Sequence, residues 1–173
     1  MKKARTTRQR DQIKKEFQQK VVEVKRVTRV VAGGKRMRFR ALVVVGDMKG
    51  RVGIGARKGA DVSEAVNKAV SAAKKGMTTV NLVNDTIPHE IRFKYKSSLV
   101  FLKPALPGTG LIAGGAIRAV LEMAGVKNIL SKMLGSANKI NNVTATYLAL
   151  ASMRPKGGKA QVQPLPKQES VIS

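Results

Sequence analysis

RMRFRALVVVGDMKGRVGIGARKG, residues 36 to 59, is the stretch from which the fold is read. Successive side chains of a strand point to opposite faces. Met37, Phe39, Ala41, Val43 and Val45 therefore fall on one side, and Arg36, Arg38 and Arg40 on the other. A tight turn over Asp47 to Gly50 predicts a hairpin whose returning strand adds Val52, Ile54 and Ala56 to the apolar side. That leaves Arg51, Gly53, Gly55 and Arg57 facing outward. Glycines among arginines make a face that is positive and low in relief, which a phosphate backbone can approach down to the main chain. The plainer alternative is a solvated strand face whose glycines serve only twist or a bulge.

Upstream, β-branched residues dominate Val21 to Val31, and Gly33-Gly34 lets the chain reverse into the Arg36 strand. The tip between Arg29 and Arg36, with Lys35, is expected to reach away from the sheet as a basic loop. Residues 1 to 15 hold seven Lys and Arg with almost nothing to bury, which reads as a flexible arm that a partner orders, or as a solubilising tail. Downstream, Asp61 and Glu64 resemble a capping box, and Val62, Ala65, Val66, Ala69, Val70 and Ala73 recur at helical spacing. Lys74, Lys75 and Gly76 suit its last turn and cap. The helix is expected to cover the apolar side of three strands and to leave the arginine side exposed.

A second unit opens at Met77. Val80 and Leu82 suggest a strand and Asn84-Asp85 a turn, after which His89, Ile91, Phe93 and Tyr95 alternate with polar residues. Leu99 to Leu102 is a short apolar strand. Pro104 and Pro107 open a glycine-rich loop, Gly108 to Gly115, that leads into a helix carrying Ile117, Val120, Leu121 and Ala124 and closed at Gly125. Ile129 to Met133 fits a strand, and Ile140, Val143, Tyr147 and Leu150 a last helix. The expected class is α+β in two small domains. A basic arm (1–15) precedes a three-stranded sheet with a helix (16–79), and a four-stranded βα domain with two helices (80–153) precedes a Pro-, Gly- and Gln-rich tail (154–173).

Charge is the strongest global signal. The 173 residues carry 34 Lys and Arg against 10 Asp and Glu, a net +24, and such a chain seeks a polyanion. Residues 1 to 60 hold 19 basic and 4 acidic side chains, so the N-terminal third is the expected anion-binding surface. Absence of cysteine excludes disulfides and thiolate metal sites. The single histidine, His89, sits in the apolar register of its strand and reads as a packed neutral imidazole, without the partners that a metal site or a triad needs. No apolar run approaches the length of a membrane span, and no secretory signal is evident, so the chain reads as soluble and intracellular. GTGLIA at Gly108 to Ala113 formally matches a dinucleotide fingerprint, but no Asp or Glu lies between Glu122 and Glu169 to hold a ribose. Walker and serine-elbow motifs are absent. Catalytic residues, metals and cofactors are therefore expected to be none, with a nucleotide-dependent enzyme as a distant alternative. Aromatics at 3% argue against base stacking and leave phosphate and shape contacts to structured RNA.

ALVVVGDMKGRVGIGARKGADVSEAVNKA and FLKPALPGTGLIAGGAIRAVLEMAGVKNILSKMLGS together resemble the family of the fifth protein of the small ribosomal subunit, in its bacterial and organellar form, over roughly Phe17 to Met153. The resemblance implies a first domain similar to double-stranded-RNA-binding domains, a family-specific βα second domain, and a structural, non-enzymatic role in the cytoplasmic or organellar ribosome. It implies small-subunit ribosomal RNA as a partner, and the basic strand face and tip read above offer Arg26, Arg29, Gly33, Gly34, Lys35, Arg36, Arg38, Arg40, Arg51, Gly53, Gly55, Arg57 and Lys58 to hold it. The tip at Val27 to Lys35 would reach the neck at the spectinomycin site. It also implies a contact with the fourth small-subunit protein through Gly108, Gly110, Gly114, Gly115 and Arg118, where changes alter decoding accuracy. The eighth protein in the body and the third beside the path of incoming messenger RNA complete the implied partners. Ala32, Lys139 and Thr144 depart from the family's usual basic residue, proline and arginine, and the last departure would remove an RNA contact. A free-standing chaperone for structured RNA would carry the same electrostatics.

Overall fold

The structure, a computed structural model, describes residues 17 to 154. The expected arm and nearly all of the expected tail lie outside them. Two long strands, β1 (Gln18–Val31) and β2 (Gly34–Gly46), form an antiparallel hairpin about Gly33-Gly34. β3 (Arg51–Gly59) pairs with β2 from Phe39 onward, and the two-residue β4 (Thr78–Thr79) adds a fourth strand beside β3. Val80, expected in that strand, leaves it and is buried, its amide donating to the Gly50 carbonyl at 2.7 Å.

α1 (Val62–Lys75) lies on β2 and β3 through Ala65, Ala69 and Ala73, which pack on Ala41, Val43 and Val45. Alanines on the helix and glycines on the strand make this approach close. Cross-strand partners share a face, and Val43 stands opposite Gly55 and Val45 opposite Gly53. Gly53 and Gly55 thus face inward under α1, not outward. A Cβ at Gly55 would collide with the Ala69 carbonyl oxygen and lie 3.0 Å from the Ala73 nitrogen.

The other side of the sheet is also covered. Leu42, Val44, Val52, Ile54 and Ala56 belong to one core with α2 (Gly115–Ala124) and α3 (Lys139–Ala151). These helices in turn rest on a second sheet of order β5 (Ile91–Tyr95), β6 (Ser98–Pro104), β8 (Ile129–Met133), β7 (Leu111–Ile112), in which only the β7–β8 pair is parallel. The layers run α1, first sheet, two helices, second sheet. A central layer must be apolar on all sides, and ten of the thirteen α3 residues are buried. Thr144 is among them, its hydroxyl bonded to the Ile140 carbonyl, so this position points into the core and not toward an RNA.

The β2–β3 turn joins the two halves. The Met48 and Gly50 amides donate to the Met123 and Ala124 carbonyls, satisfying the end of α2. Asp47 holds that turn by accepting from the Lys49 and Arg51 amides and from Arg51 Nε at 2.7 Å. Lys20 pairs with Glu122, and Lys139 with Glu23 at 3.3 Å, tying β1 to the helix layer. Tyr147 Oη donates to the Gly76 carbonyl at 2.7 Å and contacts the Thr78 hydroxyl, fastening α3 to the end of α1.

Candidate nucleic-acid interface

Because β3 ends at Gly59, opposite Phe39, residues 27 to 31 and 34 to 38 pair only with each other. This two-stranded ribbon extends beyond both covering layers, and its side chains are exposed or half-exposed on both faces. The division into an apolar and a cationic side expected at Met37 does not hold there, since Met37 is 57% exposed. Nor does it hold further in, because from Ala41 onward α1 covers one face of β2 and the α2–α3 layer the other.

The hairpin register stacks charge. Arg29 stands opposite Arg36, and Lys25 opposite Arg40, which is itself opposite Lys58 on β3. Arg38 lies between these rows on the same face. Among the described residues Arg29, Arg36, Arg38, Arg40 and Lys58 have no ion pair, and Lys25 reaches only Glu23 at 3.4 Å. Like charges directly opposite destabilise a sheet. A phosphate backbone laid along this face relieves that repulsion, which water and salt screen only in part.

The other expected residues are more scattered. Arg26 and Lys35 are exposed on the opposite face of the ribbon, and Gly33 and Gly34 form its open tip. Arg57 is half-buried beside α1 and donates to the Ala56 carbonyl. Arg51 is occupied by Asp47 and by the Phe17 ring, 5.2 Å from its guanidinium carbon. Burial alone would raise the Asp47 carboxyl, but the hydrogen bonds from the Arg51 side chain, the Arg51 and Lys49 amides and the Arg51 charge hold it below its ordinary value. Sequence reasoning missed Lys25. Counting residue pairs outward from the Gly33-Gly34 turn would have found it.

The glycine loop forms a second exposed site. Gly108 and Gly110 have φ of +90° and +75°, and a Cβ on either would meet nothing within 4 Å. Leu106 at the loop tip is 80% exposed. Gly115 and Arg118 are exposed on one stripe of α2, while Gly114 forms its N-cap against Met133. His89 lies in the segment before β5 and is exposed, because β5 starts only at Ile91; the packed imidazole expected there is not found. Among the described residues no three His, Cys, Asp or Glu side chains converge as metal ligands, and no helix is long and apolar enough to cross a membrane.

Residues 17–81 match the family model for the ribosomal protein S5 N-terminal domain, and residues 93–161 that for its C-terminal domain. The small ribosomal subunit protein uS5 of Treponema pallidum (strain Nichols) is 52% identical over 139 residues, 80% of this chain and 81% of the relative. That of Thermotoga maritima is 48% identical over 138 residues, 80% of this chain and 78% of the relative. Small ribosomal subunit protein uS5c of Spinacia oleracea is 49% identical over 161 residues, 92% of this chain, which spans 52% of the spinach protein's length. With two domain models covering most of its length and relatives near half identity, the chain belongs to the ribosomal protein S5 family of the small ribosomal subunit, whose members are structural proteins and not enzymes.

Proposed function

We propose that this chain binds small-subunit ribosomal RNA through the ladder of Lys25, Arg29, Arg36, Arg38, Arg40 and Lys58, with Arg26 and Lys35 on the reverse of the ribbon. What supports this is the register that sets like charges opposite one another, with Lys25 alone of the six paired, to Glu23, among the described residues. Its length beyond the sheet suits a reach from the body of the subunit to the neck, so that the ribbon braces head against body. Residues 16–79 serve as the RNA-holding unit and 80–153 as the protein-holding unit. Gly108, Gly110, Gly114, Gly115 and Arg118 meet the fourth small-subunit protein, while the eighth and third are further neighbours. Gly53 and Gly55 have no part in the RNA surface because α1 covers them.

Accuracy of decoding follows from the second contact. If it must open when the subunit closes on a correct codon, weakening it lowers the cost of closure for wrong codons as well. Arg118→Glu is expected to increase misreading in ribosomes carrying only that variant, and an unchanged error rate removes this part of the proposal. For the RNA surface, replacing Arg36, Arg38 and Arg40 by Ala is expected to lower the log–log salt slope of binding by about one per lost phosphate contact. A slope equal to wild type refutes it. Stoichiometric sedimentation with the small subunit separates the ribosomal role from that of a free-standing RNA chaperone.

A further inference from the structure

We infer that Asn128, in the corner between α2 and β8, is the positioning residue that sets the glycine loop in the shape its protein neighbour binds; this rests on the reading of that loop as a protein contact. Its Oδ1 accepts from the Gly108 amide and from the Gly110 amide, both at 3.1 Å. Both donors belong to positive-φ glycines, so their N–H groups turn inward onto one acceptor. The side chain is only 9% exposed, whereas the loop it holds stands open, with Leu106 80% exposed.

The corner itself is fixed. The Lys127 and Asn128 amides donate to the Asp85 carbonyl, and the Ile129 amide to the Gly110 carbonyl at 3.1 Å. One amide side chain thus transmits the position of a rigid corner to a loop with no apolar packing of its own at Gly108 and Gly110. Loss of the acceptor frees two N–H groups that water can reach, so the loop loosens while the core remains.

The test uses the full chain. In Asn128→Ala, amide exchange at Gly108 and Gly110 is expected to become about tenfold faster, the equivalent of one modest hydrogen bond, with the thermal midpoint changed little. Asn128→Asp, whose carboxylate accepts from both amides, should keep wild-type exchange. Ribosomes carrying Asn128→Ala should misread more, in the direction of Arg118→Glu, and those carrying Asn128→Asp should not. Unchanged exchange in Asn128→Ala overturns the positioning role. Faster exchange with unchanged accuracy also overturns the inference, and then it is the protein-contact reading of the loop that has failed. If Asn128→Ala does not fold, Asn128→Gln, which displaces the amide by one methylene, serves for the same comparison.

Discussion

Gly55 and Gly33 are the same residue type with opposite tolerances, and their surroundings decide the difference. At Gly55 a methyl group would meet backbone of α1, which cannot move as the end of a side chain can. Gly55→Ala is expected to destabilise the protein by about 3 kcal/mol, read as a lower urea midpoint. Gly33 has open space and no positive φ, so Gly33→Ala is expected to stay within about 0.5 kcal/mol of wild type. A sequence shows a glycine, but not whether a helix lies over it, which is why Gly53 and Gly55 read as an approach for phosphate when they are an approach for α1. Asp47 gives a pH-dependent counterpart. Its folded-state pKa is depressed, so its contribution to stability is present above the ordinary value of 3.8 and is lost as pH falls through the folded value. Urea midpoints of wild type and Asp47→Asn should differ at pH 7 and converge as pH falls below 3.8. A gap independent of pH would show that the charge on Asp47 does not hold the turn.

At the level of elements, local signals carried most of the reading. The period of α1, the glycine closing α2 at φ +85° and the β8 strand were all legible, because each depends on residues a few positions apart. Facing was less legible. Ala41 to Val45 is an unbroken buried run, the mark of a strand covered on both sides, but the arginines just before it suggest alternation and one free face. The change occurs at Phe39, where the ribbon leaves its covering layers, and only tertiary contacts set that point. The function proposed for the ribbon also carries a stability signature. Arg29 and Arg36 are exposed and directly opposite, so Arg29→Gln with Arg36→Gln is expected to stabilise the free protein by about 0.5 kcal/mol at low salt. High salt should erase most of the gain, while RNA affinity falls at every ionic strength below it. Thermal midpoints at two salt concentrations check this. A destabilised double variant would mean that the two side chains hold the ribbon together through their stems.

The larger of the two apolar cores among the described residues ignores the boundary between the two family-model matches. Leu42, Val44, Val52, Ile54 and Ala56 of the first sheet share it with Ile117, Val120, Val143 and Tyr147 of the helix layer, and the turn at Asp47 to Gly50 caps α2. Reading the sequence as two successive units finds the elements of both but not this shared core, because each amphipathic pattern tells that a face is buried without telling what buries it. The consequence is testable by dissection. A fragment ending at residue 81 would expose those five first-sheet side chains, forfeiting on the order of 10 kcal/mol of apolar burial, comparable to the entire stability of a domain this size. What remains is α1 on a sheet through alanines, a small core. The fragment is therefore expected to lack a cooperative urea transition, whereas the full chain should unfold in one transition with coincident circular dichroism and fluorescence from a tryptophan introduced at Phe101 on the second sheet. Two separated transitions, or a fragment that folds with full-chain sharpness, would mean that the helix layer rests on the first sheet without stabilising it, and that the ribbon could then swing relative to the glycine loop instead of holding the two contacts at a fixed distance.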